Sequence, residues 1–84
     1  MSSLAADIIG LVGSALFIGA FAYANLAKTL DKLWFNLANL AGALLLLASL
    51  WVNFNLAAFV LEAAWAVIAL LGIGAALRAR KAAP

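Results

Sequence analysis

The sequence predicts an all-α membrane protein of three transmembrane helices, on three observations. Of its 84 residues, 70% are apolar and 10% charged, where a soluble domain carries about a quarter of charged residues. Five Lys or Arg and three Asp or Glu do not coat a water-soluble globule, so lipid is the expected solvent. The apolar residues also fall into three runs, 8–26, 33–52 and 56–77. At about 1.5 Å per residue these measure roughly 28, 30 and 33 Å, matching a hydrocarbon core of about 30 Å. Finally, the runs are continuous in Leu and Ala and lack the ten-residue alternation of a β-barrel. Residues 1–84 read as one three-helix domain with a basic tail at 78–84.

The first run follows Met1-Ser2-Ser3-Leu4-Ala5-Ala6-Asp7. A secretory signal needs a basic segment there, so the run is expected to be a retained span, with Asp7 near its N-terminus as a cap. The second run follows a polar loop containing Lys28, Asp31 and Lys32, and only Asn53-Phe54-Asn55 separates it from the third. Such short connections make sequential helices antiparallel. The N-terminus and the 53–55 turn then share one side, and the 27–32 loop and the C-terminal tail share the other. Lys28, Lys32, Arg78, Arg80 and Lys81 all fall on the second side. The positive-inside rule therefore predicts an N-outside, C-cytoplasmic chain. Tyr23 and Trp34 are placed at the cytoplasmic interface and Trp51 and Phe54 at the outer one, while Arg78, Arg80 and Lys81 are expected to anchor on anionic lipid.

At 100° per residue each run carries one small or polar stripe. The first holds Asp7, Gly10, Ser14, Phe17, Phe21 and Asn25. The second holds Asn36, Asn39 and Ala43 with Gly42 at its margin, and the third Glu62, Trp65, Ala69, Gly72 and Ala76. The stripes are expected to face protein, with Gly10, Gly13, Gly42, Gly72 and Gly74 allowing close helix approach. Matching depths across antiparallel neighbours puts Ser14 beside Glu62 about 9 Å from the outer end. The same matching brings Phe17, Gly42 and Trp65 together near the midplane and Asn25 level with Asn36, Asn39 lying a turn deeper.

Glu62 is the sharpest signal, because no other ionisable group lies well inside a span. An ionised carboxylate there costs several kcal/mol, and proteins respond by protonating it or giving it a polar cavity. One reading is a proton-coupling or cation-binding carboxyl; the other is a protonated Glu bonded to Ser14 or a carbonyl as helix glue. Ser14, Trp65, Asn39, Asn36 and Asn25 complete the candidate solute or ion pathway, with interhelical packing as the alternative for each.

With neither His nor Cys, the chain lacks imidazole and thiol chemistry and has no basis for a Cys/His metal site. No enzyme, metal or cofactor is expected. The net charge of +2 lies on loops and tails rather than on one basic face, which argues against nucleic acid as a partner. Three helices do not enclose a solute path, so a transport role implies self-association, and the one-sided Lys/Arg bias favours a parallel homodimer. An accessory subunit of a larger membrane complex is the alternative.

Ile9-Gly10 with Gly13, the tetrapeptide Asn39-Leu40-Ala41-Gly42, and Phe54-Asn55 followed by Glu62 and Trp65 resemble an uncharacterised family of small three-span bacterial inner-membrane proteins described as permease-like. That resemblance spans nearly the whole chain and implies no established activity. In topology the chain is also similar to the half-SWEET sugar transporters, three-span proteins that pair in parallel around a central cavity. Those carry a Pro-Gln hinge in their first helix, whereas the sole proline here is Pro84.

Overall fold

In the computed structural model, which describes residues 1–82, α1 spans Ser3–Leu26, α2 Lys32–Ser49 and α3 Leu56–Ala82. Each is long and apolar enough to cross a membrane. The helix ends depart from the hydropathy runs for local reasons. Ser2 caps α1, its Oγ accepting from the Ala5 N–H at 3.1 Å, so the helix starts ahead of the apolar run. Asp7, expected as the cap, lies beyond the first turn and is exposed.

Asp31 caps α2, with Oδ1 accepting from the backbone N–H groups of Leu33 and Trp34 at 3.0 and 3.3 Å. The second span is shorter than expected and ends at Ser49 rather than residue 52. There the N–H groups of Trp51 and Val52 bond three residues back, to Ala48 and Ser49, the tightened geometry of a helix end. Asn55 then starts α3, its Oδ1 accepting from the Ala58 N–H at 3.0 Å. Phe54 packs on Phe59 with ring centroids 5.8 Å apart, a hydrophobic staple across the cap. α3 continues through Ala82, so the expected tail is helical over Arg78, Arg80 and Lys81, and the last two offset the helix dipole. Ala83 and Pro84 of that tail lie outside the described residues.

α2 is the central helix. It packs against α1 on one side and α3 on the other, while no Cα of α1 comes within 8 Å of α3. The packing faces are built from small residues: Ala6, Gly13 and Ala20 on α1, Gly42 and Ala43 on α2, and Ala66, Ala69 and Ala76 on α3, joined by Asn39 and Glu62. The seven-residue steps 6–13–20 and 62–69–76 suit left-handed crossings at about 20°. No large side chain is fully buried, and Leu4, Leu11, Ile18, Phe21 and Leu71 are each about 70% exposed. Small residues inside and large apolar residues outside is the arrangement that lipid rather than water rewards.

The α1 face differs from expectation by one residue. Ala6, Gly13 and Ala20 meet α2, while Asp7, Ser14 and Phe21 lie about 100° around the helix. A Cβ at Gly13 would come within 2.8 Å of the Gly42 carbonyl oxygen, and one at Gly42 within 2.7 Å of the Phe17 ring. At Gly10 it would meet the Ser49 hydroxyl, and at Gly72 the Asn36 carboxamide. Gly74 has nothing within 4 Å, so it does not serve the expected close approach. Ser49 Oγ donates to the Ala6 carbonyl at 2.8 Å, a bond between α1 and α2 with no counterpart in the expected stripes.

Candidate functional site

Because α1 and α3 stand apart on either side of α2, a groove runs between them, and aromatic rings close it near mid-height. Phe17 reaches from α1 across Gly42 and meets Trp65 of α3, with centroids 5.8 Å apart and planes at 51°. The missing side chain of Gly42 admits the Phe17 ring. Trp65 Nε1–H donates to Asn39 Oδ1 at 2.9 Å, and Asn39 Nδ2 donates to the Phe35 carbonyl at 2.8 Å. Asn39 is 6% exposed and thus satisfied on both ends of its amide, which fixes the indole orientation from beneath. Phe17, Phe21, Phe35, Asn39 and Trp65 line an open cavity of about 180 Å³, in which Phe21 and Trp65 are 72% and 43% exposed. On the far side of Trp65, a smaller space of about 60 Å³ borders Asn36 and Ile68.

Glu62 lies one turn from Trp65 toward the 53–55 end and is 9% exposed. Its Oε2 is buried without a hydrogen-bond partner among the described residues. The pairing with Ser14 expected from depth does not form, because the Ser14 hydroxyl donates to the Gly10 carbonyl of its own helix at 2.9 Å. Asn36 and Asn25 likewise turn their amides back, donating to the carbonyls of Lys32 and Phe21, each at 2.8 Å. Asn25 is exposed near the end of α1. The structure thus joins Trp65 to Asn39 directly, leaves Glu62 adjacent, and does not link Ser14, Asn36 and Asn25 into a continuous polar track. Ser14 instead borders an open bay of about 420 Å³ with Asp7, Gly10 and Ser49.

Phe35 and Asp31 are the contributors that sequence reasoning missed. Phe35 had a legible signal, lying one turn before Asn39. Asp31 did too, as an acidic residue immediately before an amphipathic run.

At the opposite end, Tyr23 is half-buried and its hydroxyl accepts from the Asp31 N–H at 2.7 Å, tying α1 to the loop. Arg80 reaches the same Asp31 with N–O distances of 3.1 Å, clasping α3 to the start of α2. Arg78 and Lys81 are exposed, and Trp34 and Trp51 are 66% and 87% exposed at opposite ends of α2. Asp31→Ala is expected to cost about 1 kcal/mol through the lost cap. Arg80→Ala is expected to cost less than about 0.5 kcal/mol, since that ion pair is open to water. Chemical denaturation of the two variants in the same detergent checks the order; equal losses would make the clasp, not the cap, the stabilising element.

No curated protein matches the chain, and no solved structure does. The model of an uncharacterised family matches residues 6–81, from the packing residue Ala6 to the basic residue Lys81, and the chain belongs to that family.

Proposed function

We propose that the protein is a half-transporter of the bacterial inner membrane, N-outside and C-cytoplasmic, two copies of which pair in parallel to carry a small polar solute. The observation that supports this most is the open side of the fold. The Trp65–Asn39 pair and the buried Glu62 lie by a groove that α1 and α3 do not close between them. A second copy set against that side in parallel would turn two half-grooves into one enclosed path. Glu62, with an unpartnered oxygen, is the group for proton linkage. The collection of Lys and Arg at the loop and C-terminal end supports the orientation. In this reading the partners are lipid and a second copy, with no catalytic role and no nucleic acid.

A second reading is favoured by the self-satisfied amides. Asn25, Asn36 and Asn39 all donate to carbonyls of their own helices, as residues of a packing surface would. The protein would then dock as an accessory subunit in a larger membrane complex. Native mass spectrometry on protein released from its own membrane separates the two. Two 8.7 kDa chains without another protein is the result expected for the half-transporter. Recovery only as a single copy within a larger assembly would overturn it.

A further inference from the structure

The cavity beside Trp65 has a composition more specific than a generic apolar gap. Four of its five lining side chains are aromatic, Phe17, Phe21, Phe35 and Trp65, and the fifth, Asn39, spends its amide on Trp65 and Phe35. With Asn39 already engaged, the lining offers a ligand ring faces and few free hydrogen-bonding groups. At about 180 Å³ it is smaller than the roughly 300–1,000 Å³ of drug-sized sites, so it suits a compact group. The lining itself carries no charged side chain, with Glu62 one turn from Trp65 on α3 and Lys32 one turn from Phe35 on α2.

Ring faces attract cations through their quadrupole when the charge sits within about 6 Å of the centroid, and aromatic boxes recognise quaternary ammonium groups on this basis. Phe17 and Trp65, with centroids 5.8 Å apart and planes tilted at 51°, both line the cavity. The Asn39 bond holds the indole in place.

We propose that the Phe17–Phe21–Phe35–Trp65 cavity binds a small organic cation of the quaternary ammonium type. The assignment rests on the carrier reading for its role, since it names the class of solute carried, but the binding itself requires no gradient and no transport.

The test uses purified protein in a non-ionic detergent free of choline lipids, with the exposed Trp34 and Trp51 replaced by Phe so that Trp65 alone fluoresces. Titration with choline and with tetramethylammonium is expected to give a saturable change. The uncharged isostere 3,3-dimethylbutan-1-ol should bind about tenfold more weakly. Phe17→Leu should weaken choline binding several-fold and Phe17→Tyr restore it, with helicity by circular dichroism confirming that both variants fold. Equal responses to choline and its neutral isostere would overturn the proposal, leaving an apolar cleft without charge preference; so would the absence of any saturable response to either cation. Uptake into proteoliposomes then keeps the two readings apart. Choline binding without uptake of any solute ends the carrier reading and leaves the cation site standing. Uptake of uncharged solutes by protein that does not bind choline ends this proposal and leaves the carrier.

Discussion

Gly13→Ala is expected to destabilise the fold by about 1–3 kcal/mol, the range for forcing an added methyl group into a packed interface. The new methyl carbon would lie 2.8 Å from the Gly42 carbonyl oxygen and 3.1 Å from side-chain carbons of Leu45 and Leu46. Its nearest neighbour is backbone, so no rotamer change relieves the contact and α1 must retreat from α2. That retreat would also stretch the 2.8 Å bond from Ser49 to the Ala6 carbonyl. Gly42→Ala attacks the same crossing from the other helix, against Phe17 and the Gly13 carbonyl, so the double variant should lose less than the sum of the two. Gly19→Ala and Gly74→Ala are the controls. Nothing lies within 4 Å of either position, so their changes should be neutral or stabilising, by up to about 1 kcal/mol from the better helix propensity of Ala. Unfolding midpoints in a denaturing detergent titration give the comparison. A Gly19 variant as damaged as the Gly13 one would mean that α1 packs through a different face.

If the protein is the half-transporter proposed, Glu62→Gln is expected to reduce solute uptake into proteoliposomes at least about tenfold, equivalent to 1.4 kcal/mol. The amide has nearly the same shape but neither carries charge nor exchanges a proton as the carboxyl does. Stability is expected to hold or rise slightly, because Oε2 has no hydrogen bond to lose and a neutral amide is easier to bury than a carboxylate. Loss of transport with an intact fold is the signature of a working carboxyl. Unchanged uptake alongside reduced abundance of a partner complex would instead support the accessory-subunit reading.

These two residues illustrate how far the sequence could be read. Glu62 was legible because charge inside a span is costly and rare, whichever way its helix is rotated. Gly13 was legible as a small residue, but its role where α1 crosses α2 depends on helix rotation, and hydropathy is a poor guide to that. The stripe drawn through Asp7, Ser14 and Phe21 grouped residues by being polar, small or aromatic. Packing in lipid selects small side chains first, which moved the contact face to Ala6, Gly13 and Ala20. On α2 and α3 the two criteria coincide at Asn39 with Ala43 and at Glu62 with Ala69 and Ala76, which are buried, whereas Trp65 of the same α3 stripe is 43% exposed. The meeting of Phe17 with Trp65 over Gly42 followed from depth matching, since antiparallel neighbours of known length fix which residues share a level. The Ser14–Glu62 pairing failed because a serine hydroxyl in a helix reaches its own preceding turn more readily than a neighbouring helix.

Composition and the lengths of three apolar runs determined the number of helices, their antiparallel order and their capacity to cross a bilayer. These properties depend on transfer free energy and helical rise, which add up along the chain without reference to its neighbours. The tertiary structure decided that α2 is central and that α1 and α3 leave a groove. It also decided that Asn39 spends its amide on Trp65 and Phe35 and that Asp31 receives both Tyr23 and Arg80. Those outcomes depend on rotation about each helix axis, and rotation is set by which small residues let two backbones meet.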